Sequence, residues 1–576
     1  MRFVALMALT TALVSPAFAR VDYSVRIVKG GDGVQVEMTV PSDGKAFRVQ
    51  MPNWAPGSYR LANSAQFVAD ISAQRSSRKV SVTKVDDNTW EVGAGMSGNA
   101  VITYTRKTGP LTDRLHLTGP SYYLYAVGRT QEACTLDFSL PEGWRATNGL
   151  LEKDGRFVAE SYDVMADAPT TIGVFESDFY EVRGVKHEIA YFGGDPSKVD
   201  RQKVKETCQK ISEAEASFWG GLPFKKYVWH FTVLQSQDGG WGLEHLSSTT
   251  IGLAQGFGKG TVSVLAHELF HAWNVKRIRS SVLGPFDYTK LPKTGALWWL
   301  EGVTDYYADV ILYRYGLYEE TDMLGSIVSN VRTTRANDQR MQVSPYDSSY
   351  RVGEAANGQG NSAGFGVNYY NTGWLVGICL DIEIRSRTNG KKSLDDVIKG
   401  LYEQCRDNKP GFAEGAIRDE LVKVGGKEMG PLYDKWVREP GELPVEAQLA
   451  KIGYTLQTKV ETFGNPGFAL SWLADGRLMV GRGARPEGIN IGDEVISVDG
   501  IAKVADTEAQ KEVQARWKAA MAPGKTVHFV FQQGDMTAER DLEVKATTST
   551  SYSVIPDESA SPNAVRLRKG WHLGSQ

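Results

Sequence analysis

The string His267-Glu268-Leu269-Phe270-His271, with Glu301 thirty residues beyond its last member, constrains this chain more than any other feature. Residues four apart on a helix share a face, so both imidazoles can reach one point. The lead-in Thr261-Val262-Ser263-Val264-Leu265-Ala266 contains no Gly or Pro and predicts a helix. Histidine is scarce, 8 of 576 residues. With Glu at an ordinary frequency of about 6%, a chance His-Glu-x-x-His in such a chain is on the order of one in a hundred. Two neutral imidazoles aimed at one point suit Zn2+, which takes ring nitrogens at about 2.0–2.1 Å and favours four ligands, one of them left to water in reactive sites. Glu301 lies in an otherwise apolar stretch, Ala296 to Val303, where a carboxylate is costly unless paired or metal-bound. It is the expected third ligand, so the fold must bring two distant segments together at one ion per chain.

Such an ion acidifies a water and polarises a carbonyl. Glu268, next to His267, is placed to take the water proton and pass it to a leaving amine. An oxyanion donor is then needed. Asp305, four residues after Glu301, can accept a hydrogen bond from a ligating histidine and fix its tautomer; an ordinary solvated acid is the other reading. The run Lys276-Arg277-Ile278-Arg279 reads as cations favoured at a helix C-terminus.

At 576 residues the chain calls for about three domains. Its composition, 41% hydrophobic and 23% charged, is globular. A net charge of −3 lacks the basic footprint of a nucleic-acid partner. Residues 1–19, with basic Arg2, a short apolar run and Ala17-Phe18-Ala19, read as a signal peptide cut near Ala19. That predicts an exported, periplasmic or secreted protein without a membrane span in its mature form. An oxidising compartment would allow disulfides among Cys134, Cys208, Cys379 and Cys405, whose pairing is not set by the sequence.

The layout predicts a multidomain α+β protein. Over 20–180, short alternating segments such as YSVRI, VQVEMTV and AVITYTR are divided by turns and predict a β-sandwich-like domain. Within it, MPNWAPGSYR (51–60) is a stiff aromatic loop, either a structural turn with a packed Trp or a substrate contact. Over 181–454 helical patterns follow a strand, KYVWHFTVL, and predict an α/β plus helical catalytic domain. Over 455–546 the string GDEVISVDG and the helix after it resemble a PDZ domain. Residues 547–576 read as a Ser/Thr-rich, poorly ordered tail.

The strings HELFHAWNVKRIR and WLEGVTDYY resemble the glycyl aminopeptidase family of gluzincin zinc metallopeptidases. The resemblance implies an N-terminal β domain, a thermolysin-like catalytic domain and a C-terminal PDZ domain. It also implies release of glycine or alanine from peptides with a free N-terminus. Gly239-Gly240-Trp241-Gly242-Leu243-Glu244-His245 is similar to the family's Gly-Leu-Glu-His string. By that likeness Gly242 lies on an edge strand that pairs with substrate backbone, and Glu244 grips the α-ammonium. The string departs from the Met-Glu-Asn form of related aminopeptidases. In Val367-Asn368-Tyr369-Tyr370-Asn371-Thr372-Gly373, Tyr370 takes the position of the oxyanion donor, with Tyr369 as its adjacent alternative. Two other readings stand: an endopeptidase with the same zinc site and PDZ-docked substrates, and a non-catalytic module binding a peptide tail in the PDZ groove.

Overall fold

A computed structural model describes residues 20–353, 368–407, 409–483 and 485–574. Segment 1–19, for which a signal peptide is expected, and Val367 lie outside the described residues. The chain forms two compact units, one of 1–455 with 556–576 and one of 456–555.

The first unit begins β-rich. An eight-stranded sheet and a four-stranded sheet share one core. Alternation dictates this: in Val21–Ile27 and Gly33–Ser42 every second residue is buried, and the two strands pair antiparallel with Val25 opposite Val36. The strand Glu176–Val182, expected at the end of this domain, instead opens the next sheet. That five-stranded sheet runs Glu176–Val182, Val185–Gly193, Lys226–Val233, Ser248–Leu253 and Gly240–Glu244 in spatial order, which leaves Gly240–Glu244 on the edge.

Helices cover this sheet. Arg201–Trp219 starts where the Asp200 side chain accepts from Lys203 N and stops at left-handed Gly220. Lys259–Phe270 carries the His-Glu-x-x-His string, and His271 keeps helical backbone angles just past its end. The segment around Glu301 is a π-helical turn, Trp298–Val303, that runs into the α-helix Thr304–Arg314. Tyr369–Arg387 crosses this turn at backbone contact: a Cβ on Gly302 would lie 2.5 Å from the Gly373 Cα.

The expectation of a disordered tail is corrected. Lys545–Pro556 is a strand and Pro562–Leu573 a helix, opened by the Ser561 side chain accepting from Ala564 N. Ala564, Leu567 and Trp571 are buried on one helical face. Trp571 Nε1 donates to Tyr306 Oη at 2.8 Å, and Arg385 donates to Gly570 O at 2.8 Å. The four cysteines are buried and unpaired. No helix among the described residues is long and apolar enough to cross a membrane.

The 456–555 unit has its own core, with Leu478, Val495, Val498, Trp517, Phe529 and Phe531 buried between a small antiparallel sheet and the helix Thr507–Ala520. Its strand Glu494–Val498 falls within the GDEVISVDG string, and Trp517 Nε1 donates to Ile501 O at 2.7 Å.

Candidate metal centre and active site

The fold brings His267, His271 and Glu301 together as expected. Their Nε2 atoms are 2.8 Å apart, and Glu301 Oε2 lies 3.5 Å from His267 Nε2 and 3.2 Å from His271 Nε2. All three residues are buried. The opposite ring nitrogens are engaged elsewhere. His267 Nδ1 is 2.7 Å from Asp305 Oδ1, and His271 Nδ1 donates to Asn274 O at 2.6 Å. The Asn274 amide in turn donates to Trp299 O and Thr304 Oγ1, which ties this contact to the Glu301 segment. With Nδ1 carrying the proton, each Nε2 presents a lone pair. Two lone pairs and a carboxylate then converge in a buried space, an arrangement that repels itself without a cation. The donor set fits a divalent metal.

Glu268 shares this space. Burial, helped by the nearby charges of Glu244 and Glu301 and opposed by the two imidazoles, raises it to about 7. Gly242 explains how Glu268 fits: a Cβ there would collide with the Glu268 carboxyl group, so only glycine leaves room. The Glu244 carboxylate, the Glu268 carboxylate and a His271 ring nitrogen lie within 4.8 Å of one another. Tyr370 lies in the first turn of its helix, its ring centre 6.0 Å from that of His267. Burial and the Glu301 charge push its phenol well above the usual value, so it stays a neutral donor. Tyr369 stacks on it at 5.0 Å and is the more buried of the pair.

Two further groups lie beside this centre, one of them read differently from the sequence and one left open there. Lys276 is not a solvated cation at a helix end, because the helix stops at Phe270. It is buried, with Nζ 2.9 Å from Asp167 Oδ1 and 3.7 Å from Glu244 Oε1. Asp167 also accepts from Leu246 N at 2.8 Å and lies 3.1 Å from His245 Nδ1. Burial opposes its ionisation, but Lys276 and His245 hold it down at about 2. Arg277 is spent on the carbonyls of Leu246 and Pro223. The second group is the 51–60 loop. Trp54 packs edge-on against Phe286 with ring centres 5.8 Å apart, and Gly57 lies against the Glu244 carboxylate. The only earlier signal for this loop was its density of Trp, Pro, Gly and Tyr.

Imidazoles from one helix, a carboxylate from a second and a buried glutamate beside them define a metal-dependent peptidase. Two family models match the chain: the Peptidase M61 N-terminal domain over residues 23–174 and the M61 glycyl aminopeptidase over 260–376. The chain is an M61 glycyl aminopeptidase-like metallopeptidase, a hydrolase of peptide bonds. Among solved structures, an aminopeptidase N family protein of Idiomarina loihiensis has the same fold. It is 21% identical and matches with a TM-score of 0.78 over 96% of this chain and 99% of that one. The M1 zinc metallopeptidase of Deinococcus radiodurans is 12% identical, with a TM-score of 0.48 over 74% of this chain and 95% of that chain. No curated protein sequence matches the chain.

Proposed function

We propose that the chain is a zinc-dependent aminopeptidase, with one ion per chain on His267, His271 and Glu301, that releases glycine or alanine from peptides with a free N-terminus. The observation that carries this reading is the closeness of Glu244 to Glu268 and His271, all within 4.8 Å. In a peptide the α-amino nitrogen is about 2.5 Å from the first carbonyl carbon, as bond lengths and the N–Cα–C angle require. An ammonium held by Glu244 therefore delivers the first peptide bond to the centre and leaves no length for further residues upstream. The edge strand Gly240–Glu244 offers backbone groups along which the rest of the peptide can lie.

Zinc, when bound, supplies a Lewis acid for the carbonyl and makes water more acidic. Glu268 takes the proton of the attacking water and passes it to the leaving amine. Tyr370 donates its phenol hydrogen to the oxyanion as the carbon becomes tetrahedral. Asp305 and the Asn274 carbonyl fix the imidazole tautomers. Lys276 balances the negative charge where Glu244 and Glu268 crowd together.

Hydrolysis of glycyl and alanyl anilides, compared with their N-acetylated forms and repeated with a chelator, tests this. Cleavage of free amines only, lost with the chelator, is expected; equal rates on blocked substrates would sink the exopeptidase reading. The 3.7 Å approach of Lys276 to Glu244 favours the endopeptidase alternative, since it gives that carboxylate an internal cation. Replacing Glu268 by Gln is expected to abolish hydrolysis while metal content, measured by atomic absorption, is kept. For the 456–555 unit, the EVISV strand and the single helix support a PDZ-type module that accepts a peptide tail by strand addition. Export, to periplasm or medium after cleavage near Ala19, is part of the same proposal.

A further inference from the structure

Asp309 is a buried acid outside the catalytic set. It is 7% exposed, and no lysine or arginine pairs with it among the described residues. An acid so placed is costly unless hydrogen bonds hold it. Both of its oxygens face neighbouring helices. Oδ2 accepts from Trp374 Nε1 at 3.0 Å, and Oδ1 lies 3.5 Å from Ser263 Oγ. Trp374 is itself buried, edge-on to Tyr306 with ring centres 5.5 Å apart.

These three residues stand one turn from three groups of the centre. Trp374 follows Tyr370 by four positions on Tyr369–Arg387, and Asp309 follows Asp305 by four on Thr304–Arg314. Ser263 precedes His267 by four on Lys259–Phe270. Residues four apart share a helix face. The Asp309 carboxyl therefore gathers the three helices in a layer one turn, about 5.4 Å along each axis, from the layer of His267, Asp305 and Tyr370. The Asp309 and Trp374 segments also meet at Gly302 and Gly373, where the backbones touch. A single point of contact leaves a helix free to turn about it. The bond from Trp374 to Asp309 is a second point and removes that freedom.

We propose that Asp309 is a positioning residue: through Trp374 it fixes the helix that carries Tyr370, and so the place of the phenol beside the metal centre. The inference rests on the aminopeptidase reading and deepens it, by assigning what holds the oxyanion donor. Such a donor acts only within about 2.7–3.1 Å of the oxyanion. A displacement of about 1 Å can cost on the order of 100-fold in rate. Tyr370 lies in the first turn of its helix, and helix ends fray. A bond one turn further in, made to the helix that continues from Glu301, bears directly on that freedom.

The test is hydrolysis of alanyl anilide by the full-length enzyme and by D309A, D309N and W374F, each made alone and together with Y370F. Folding is checked by circular dichroism and metal content by atomic absorption. D309A and W374F are expected to lower kcat by about 10–100-fold with KM and metal content kept. In the Y370F background the same changes should cost less than about twofold further, because the donor they place is gone. D309N keeps an oxygen that accepts from Trp374 and should stay within about threefold of the parent. An equal cost with and without the Tyr370 hydroxyl overturns the proposal, as does a fall in kcat that follows a loss of metal. A loss in D309N as large as in D309A overturns it too. Where D309A does not fold, W374F carries the comparison, since it removes the donor and keeps most of the packing. Failure of the underlying reading looks different: Y370F alone would then keep the parent kcat, or the unaltered enzyme would cleave acetylated anilides equally well.

Discussion

His267 and His271 keep their Nε2 atoms available because each commits its other nitrogen, one to Asp305 and one to the Asn274 carbonyl. Replacing Asp305 by Asn keeps the shape and loses the charge. Metal affinity is expected to fall by about 10–100-fold, read by competition with a chromogenic chelator. Tyr370 and Tyr369 are separated by the same reasoning. Removing the Tyr370 hydroxyl with Phe should lower kcat by about 10²–10³-fold with metal content unchanged, whereas the same change at the more buried Tyr369 should spare kcat. At this scale the sequence was informative where chemistry is local. The i, i+4 histidines and an acid in an apolar run announce themselves. Lys276 does not, because its role depends on Asp167, which reaches it across 109 positions of chain.

Among elements, the π-helical turn Trp298–Val303 and the helix Pro562–Leu573 carry most of what periodicity hid. A helix pattern over 296–317 is plain in the sequence, yet it does not say that one turn widens at Glu301. The last helix had its own signals, a Ser-Pro start and apolar residues at 564, 567 and 571, masked by the Ser/Thr-rich strand before it. Trp571 is 2% exposed and bonded to Tyr306, on the helix that continues from Glu301. Trp571→Ala should destabilise the first unit by about 3–5 kcal/mol. Denaturant titration checks this, with the transition of the 456–555 unit expected to stay where it was.

For the molecule as a whole, pH sensitivity follows from imidazoles buried in neutral form. His187 is 1% exposed and pushed down to about 4 by burial, despite a hydrogen bond from Nδ1 to Val185 O. His230, fully buried with Nδ1 2.8 Å from Thr171 Oγ1, is lowered further, again chiefly by burial. Both take up a proton near pH 6.5 when unfolded and much lower when folded. Stability is therefore full above about pH 6.5 and is lost as pH falls toward 4, at about 2–3 kcal/mol per pH unit for two protons. Denaturation midpoints between pH 7 and 4.5 test the slope; a flat profile would falsify the assignment of neutral rings. Thr171 lies on a strand of the β-rich part and His230 on the catalytic sheet, so acid should loosen the contact between these two sheets.

The bond between Trp571 and Tyr306 also sets a clock. Its ends are 265 residues apart, and the 456–555 unit lies between them. At about 5–20 residues per second a ribosome needs roughly 13–50 s to cover that distance. For that time the helix beside Glu301 is already made while the indole that covers it is not. The 456–555 unit, whose core is its own, can be finished in the interval. The helix that continues from Glu301 is thus covered by Trp571 only after the 456–555 unit has been made.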